Sequence, residues 1–448
     1  MSKRKAMDLT TGRPILQILL FSLPLVLGTL FQQLYSFADT IMVGRLISKE
    51  ALAAVGATYS LNFLTLGFVQ GACVGFGIPL AQAVGAKNKE EFKRFFWNGC
   101  YLCLAIGLIF TVGTYLLASP LLKLIHTPED IFMGSARYIK IIFLGIPASI
   151  LYNYCSGVLR AEGDSRHPFY FLIFSSVINI VLDYVLIVPI PMGISGAALA
   201  TVISQLISGL LNLYWIVKKT DLLHDSTGYR GVSGHHCMVL SRVGLPMGLE
   251  YSVSAIGAVV MQGAINALGT VAVAGQTAGE KIRQMFTLPM ESVGMGMATY
   301  VGQNDGAKRY DRIKEGIRAG ITIQLIYCVF AWIAIFFGKN AFTTLVLGQN
   351  AGEAGELSVQ YLAIMSALFC IHGSLMIMRN TLQGMGYSMH AVFSGVGELL
   401  GRSLGGWLSI QYFGYVGICL ANPLAWGLAL IYCCVMVAHF LRKRLKVD

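Results

Sequence analysis

Asp39 and Asp183 are the two residues of the N-terminal half most able to do chemistry. Each lies inside a long apolar run, and no Lys or Arg lies deep in the runs of that half. A carboxylate removed from water is costly unless it takes a proton, pairs with a base or binds a cation. Asn179 sits one helical turn before Asp183 and therefore on the same face. Thr201 lies in the next apolar run. At 1.5 Å per residue, Asp39, Asp183 and Thr201 fall about 8–10 Å inside the nearer ends of their runs. Two carboxylates, an amide oxygen and a hydroxyl at one height form a set of hard oxygen ligands suited to Na⁺. The carboxylates could instead take and release protons. The plainer reading for Asn179 and Thr201 is a side-chain hydrogen bond to backbone at a bend.

The C-terminal half carries mixed charge within its runs: Glu250, Glu280, Lys281, Arg283, Glu291, Glu398 and Arg402. Glu398 and Arg402 are spaced i,i+4, and Glu280 and Arg283 i,i+3, so these are expected to form ion pairs along a helix. No Lys or Arg stands three or four positions from Glu250 in the sequence. With Met261, Gln276, Met290 and Glu291, Glu250 makes up a candidate substrate cavity, in which methionine would supply pliable apolar surface. Pro24, mid-run, removes a backbone hydrogen bond and is a candidate hinge. Cys100 and Cys103 form a CxxC without a second ligand pair and read as packing residues. His235-His236-Cys237 reads as a polar loop. No metal site is expected beyond Na⁺ at the aspartates, and no cofactor.

These residues must be positioned by the apolar runs themselves. Of 448 residues, 55% are hydrophobic and only 12% charged. Soluble domains average about 25% charged, so too few charges are present to coat two or three of them. The same numbers exclude disorder and a small disulfide scaffold. Twelve stretches approach or exceed the roughly 20 residues that span a bilayer as helix: 15–44, 51–84, 95–118, 135–160, 168–190, 194–217, 241–268, 270–302, 316–337, 356–383, 388–412 and 414–440. The formal charge of +11 would suggest nucleic acid were the bases on one soluble face. They lie instead between the runs. With the N-terminus in the cytoplasm, external segments hold only Arg45, Lys49, Lys123, Arg137, Lys140 and Lys339. Most of the other bases, Arg160 and Arg379 included, fall in cytoplasmic segments. This asymmetry predicts that both termini are cytoplasmic.

The chain also repeats itself at a separation of about 222 residues. SLPLVLG at 22–28 matches GLPMGLE at 244–250, GAKNKEEFKR at 85–94 matches GAKRYDRIKE at 306–315, and GDSRH at 163–167 matches GYSMH at 386–390. Each repeat holds six runs. Six is even, so the repeats share an orientation and should be related by a pseudo-twofold axis along the membrane normal. The expected architecture is all-α and integral to the membrane: a six-helix lobe at 1–217, a cytoplasmic linker at 218–240 and a second six-helix lobe at 241–448. The repeat doubles as a control. Neither Asp39 nor Asp183 has an acidic counterpart, since Met261 and Gly406 stand at the matching places. The shared fold therefore does not require the carboxylates.

The segments LPLVLGTLFQQLYSFADTIMVGRL, LAAVG and VGQNDGAKRYDRI make the whole chain resemble the multidrug and toxic compound extrusion transporters. Asp39, Asn179, Asp183 and Thr201 are similar to the N-lobe cation site of the DinF-like branch. The resemblance implies secondary active export of amphipathic, often cationic, organic compounds by alternating access, in exchange for H⁺ or Na⁺. It also implies a monomer, multi-pass in a prokaryotic inner membrane, with the bilayer and small organic cations as partners and no nucleic acid. The alternative is a lipid-linked oligosaccharide flippase of the same superfamily, which would favour a more basic cavity. No Walker motif and no catalytic cluster such as HExxH is present, so neither ATP hydrolysis nor an enzyme is expected.

Overall fold

The computed structural model describes residues 6–219, 230–349 and 351–445; the middle of the expected linker, 220–229, lies outside the described residues. Among these residues the structure is helical, without strands. The first repeat supplies α1 (Pro14–Met42, continued by a π-helical turn Val43–Ile47), α2 (Lys49–Ala57), α3 (Tyr59–Gly85), α4 (Lys89–Leu124), α5 (Glu129–Leu144), α6 (Ile146–Ala161), α7 (Arg166–Ile187) and α8 (Ile194–Lys219). The second supplies α9 (Gly234–Asn266), α10 (Thr270–Gly306), α11 (Tyr310–Leu347), α12 (Gly352–Ala367), α13 (Phe369–Gly384), α14 (Ser388–Leu408, continued by a π-helical turn Ser409–Phe413) and α15 (Gly414–Leu445).

Several apolar runs are not single straight helices. The run at 51–84 breaks at Thr58, whose hydroxyl donates to the Val55 carbonyl at 2.7 Å. The run at 135–160 bends by 44° between α5 and α6, and the run at 356–383 by 51° between α12 and α13. Pro147 accounts for the first bend, because it cannot return a hydrogen bond to the preceding turn. The second occupies the matching position of the repeat without a proline, so the bend belongs to the shared architecture. Among the described residues, eight helical segments are long and apolar enough to cross a membrane, or ten if each bent pair is one span. The segment Ser388–Leu445 is in fact an antiparallel pair. Built Cβ atoms on Gly401 and Gly405 meet Ala425 and Ala421, and one on Gly417 meets Ser409. The 37-residue α10 is the remaining span, made polar by Glu280, Lys281, Arg283 and Glu291. Counting these restores the twelve spans read from the sequence.

The surface of the helices is that of a protein in lipid. Leu104, Leu108 and Leu116 of α4 are 71%, 69% and 68% exposed. Ile326, Phe330 and Phe337 form a similar stripe on α11. Apolar stripes of this length would drive aggregation in water and are the expected exterior of a membrane bundle.

The chain forms two compact units: Leu27–Tyr251 with Met1–Asp8, and Ser252–Asp448 with Leu9–Val26. This division departs from the boundary expected at 218–240. The N-terminal half of α9 packs in the first unit, where Leu240 joins the core of Phe76, Leu80, Phe92, Phe96 and Tyr154. The N-terminal part of α1 packs in the second unit against α10. Small residues permit both crossings. A Cβ on Gly75 would lie 2.6 Å from Gly244 Cα, and one on Gly71 2.6 Å from the Met247 carbonyl oxygen. In the other unit a Cβ on Gly296 would lie 2.1 Å from Ser22 Oγ.

Candidate cation site

Asp39 reaches the site from the C-terminal half of α1, one turn before the π-helical turn at Val43–Ile47. Such a turn carries an extra residue and re-aims the side chains around it. Asn179 and Asp183 lie on α7, where Asn179 is 1% and Asp183 0% exposed. The carboxyl groups of Asp39 and Asp183 face each other within interaction range. Tyr35, one turn before Asp39, and Tyr138 of α5 stand close to both. Sequence reasoning passed over these two tyrosines, although the i,i+4 spacing of Tyr35 and Asp39 was visible.

Both oxygens of Asp183, one oxygen of Asp39 and both polar atoms of the Asn179 amide are buried without an ordinary hydrogen-bond partner. Neither aspartate has a Lys or Arg partner among the described residues. Two ionised carboxylates cannot rest together unpaired in a medium of low dielectric constant. The arrangement calls for a shared proton or a bound cation. Asn179 offers a further oxygen one turn away. Thr201 on α8 is half-buried and donates its hydroxyl to the Ala197 carbonyl at 3.1 Å, the backbone bond that the plainer reading anticipated.

The polar groups of the second unit are arranged differently. Glu398 is held by Arg379 of α13 and, at 3.0 Å, by Arg402. Arg379 also donates to Ser394 at 2.9 Å and Arg402 to Asn422 at 3.0 Å. Glu280 pairs with Arg283 at 2.6 Å and accepts from the Tyr361 hydroxyl at 2.5 Å. Both pairs expected from helical spacing are therefore present. Arg379, expected in a cytoplasmic segment, is only 6% exposed and belongs to this interior network. Burial without a partner would be prohibitive, and Glu398 supplies the partner. Arg160, also assigned to that side, runs back along α6 towards Gly157, with Tyr152 and Tyr251 nearby.

The candidate substrate residues separate by exposure. Met261 packs in the core with Ala264, Ile265, Ile418 and Ala421, and Met290 is fully buried. Gln276 is buried and accepts from the Tyr415 hydroxyl at 2.9 Å while donating to Glu280 at 3.3 Å. Glu250 lies half-buried in the first unit. Glu291 is about half accessible, at 49%, with His372 Nε2 at 4.0 Å. Pro24 is buried within α1, two residues before the boundary between the compact units.

A fold of two repeated six-span units is matched in known proteins. The MatE family model matches the chain twice, at 24–185 and 246–401, one match per repeat. The chain belongs to this family of multidrug and toxic compound extrusion proteins. It is 30% identical to the probable multidrug resistance protein YoeA of Bacillus subtilis, over 82% of this chain and 80% of that one. It is 23% identical to the multidrug export protein MepA of Staphylococcus aureus, over 96% and 94% of the two chains. Among solved structures, an outward-facing multidrug resistance MATE family transporter of the MOP superfamily superposes over the full length of both chains, with a TM-score of 0.92 at 21% identity.

Proposed function

We propose that this protein is a secondary active exporter of amphipathic organic compounds, cationic ones among them, driven by the inward movement of H⁺ or Na⁺ through Asp39 and Asp183. The reading rests on one observation: two carboxylates face each other in a membrane helix bundle, with no base among the described residues to neutralise them. The names of its relatives agree with a role in drug export.

The residues divide the work as follows. Asp39 and Asp183 hold the coupling ion between their carboxyl oxygens, as a shared proton or as Na⁺. The Asn179 oxygen is close enough along α7 to complete a Na⁺ site, and Thr201 retains oxygen lone pairs after donating to Ala197. Uptake of the ion removes the repulsion between α1 and α7 and changes the stable course of the outer half of α1. That half is suited to movement: between Thr29 and Met42 no residue is fully buried. Pro24 leaves one backbone carbonyl of the helix without its donor and lowers the cost of bending there. Release of the ion to the cytoplasm, the face on which the positive-inside asymmetry predicts both termini, restores the repulsion and resets the cycle.

Purified protein in vesicles, loaded with a fluorescent organic cation and given an imposed pH or Na⁺ gradient, tests the reading. Asp39→Asn and Asp183→Asn are each expected to abolish gradient-driven dye movement. Wild-type rates in both variants would remove the aspartates from the coupling mechanism. A wild type that moves no dye under either gradient would dismiss drug export.

A further inference from the structure

The inner end of α1 is held by an unusually dense set of polar contacts that the cation site does not use. Leu9 is fully buried. Its backbone N–H donates to Gln303 Oε1 at 3.0 Å, and its carbonyl accepts from Asn304 Nδ2 at 3.1 Å. Arg312, in the first turn of α11, donates to the carbonyls of Gly12 at 2.9 Å, Thr11 at 3.1 Å and Leu9 at 3.4 Å. Its Nε donates to Asn304 Oδ1 at 3.1 Å. Tyr300 closes the set by donating to the Arg312 carbonyl at 3.0 Å. Arg312 is 7% exposed and no carboxylate pairs with it among the described residues, so its charge is met by backbone carbonyls. Gly12, with φ of +73°, makes the turn that presents those carbonyls.

All of these residues belong to the second compact unit, and the clasp continues along α1. Ile18, Phe21 and Ser22 are buried, with Ser22 against Gly296 of α10. The anchoring stops at Val26, where the unit ends. A helix fixed at one end and loosely packed at the other must take up any bending at the junction, here Pro24 to Gly28.

We propose that Arg312, supported by Asn304 and Gln303, is a positioning residue for transport: it clamps the strap 9–12 so that the inner part of α1 stays fixed and bending is confined to the Pro24–Gly28 junction. This rests on the reading of α1 as the moving element. The matching segment before α9 is also tied down, by other means. Asn98 of α4 accepts from the Ser233 N–H at 2.8 Å, and Tyr101 donates to the Arg230 carbonyl at 2.5 Å. Pinning the entry to each repeat is thus a property of the architecture, while the guanidinium clamp is particular to α1.

The test uses the full chain in lipid nanodiscs and vesicles, comparing wild type with Arg312→Ala, Arg312→Lys and Asn304→Ala. Hydrogen exchange of amides 9–20 is expected to quicken about tenfold or more in Arg312→Ala, as charge-assisted bonds to buried carbonyls are lost. Arg312→Lys, which keeps the charge but cannot span three carbonyls, should fall between the two. Maximal dye export should drop about fivefold or more in Arg312→Ala with KM for the dye unchanged, because the variant alters the moving part and not the substrate contacts. Unchanged exchange at 9–20, faster exchange with wild-type export, or a loss confined to KM would each overturn the proposal. Should Arg312→Ala fail to fold, Arg312→Lys and Asn304→Ala carry the same comparison. Absence of gradient-driven export in the wild type itself would refute the exporter reading, whatever the exchange data show.

Discussion

Asp39 of α1 and Asp183 of α7 face each other carboxyl to carboxyl, and neither has a basic partner among the described residues. They form one site with two contributors, which has a consequence for mutational arithmetic. Residues that act as a unit lose almost everything when either is removed. Asp39→Asn combined with Asp183→Asn should therefore export no more slowly than the slower single variant, measured as initial rates under one gradient. Multiplying losses would mean two independent sites.

Glu398 predicts a stability effect of the opposite character. It is nearly inaccessible and ion-paired with both Arg379 and Arg402. Glu398→Gln leaves two buried guanidinium groups facing a neutral amide, and breaking a buried pair in this way costs about 3–5 kcal/mol. Glu280→Gln should cost less, because the Glu280–Arg283 pair is partly accessible, at 33% and 19%. Heat-induced unfolding in detergent should rank Glu398→Gln clearly below Glu280→Gln. The reverse order would show that the triad is not the stronger structural element.

Glycine substitutions separate helix contact from helix propensity. At Gly75 a Cβ would press on the backbone of Gly244, which cannot rotate away, so Gly75→Ala should destabilise by about 1–3 kcal/mol, the cost of overpacking. At Gly113 of α4 a Cβ meets nothing within 4 Å. Gly113→Ala should be neutral or stabilising by up to about 1 kcal/mol. Equal melting temperatures for the two variants would contradict the close crossing of α3 and α9.

The twelve spans, the repeat and the two aspartates were legible in the sequence because each depends on local composition. Charge is so unwelcome in lipid that Asp39 and Asp183 stood out without any structure, and their absence from the second repeat separated them from the fold. The pairs Glu280–Arg283 and Glu398–Arg402 were legible because one helix sets their spacing. What remained hidden depends on tertiary placement. Arg379 lies close to a turn and resembled an inner-face base, yet the chain folds it back to Glu398. Met261 and Met290 resembled cavity lining, and nothing in their spacing told lining from core. The exchange of helix halves was hidden because α1 reads as one continuous apolar run. Its change of partner at Val26 reflects small residues on α10, more than 250 positions later. Tyr35 and Tyr138 were overlooked because aromatic residues are common in spans and carry no charge to draw attention.

The placement of α1 also bears on how the chain is made. Its inner part finds its packing surface on α10, so the first helix to enter the membrane waits for the tenth. At about 5–20 residues per second, synthesis of the intervening chain occupies on the order of 10 s or more. During that time Phe21 and Ser22 lack their contact with Gly296, and the first unit lacks the N-terminal half of α9. Neither repeat can complete itself from its own residues. A gene split in the linker would yield two halves that must find each other before either is whole, so the duplicated architecture behaves in biogenesis as a single indivisible object.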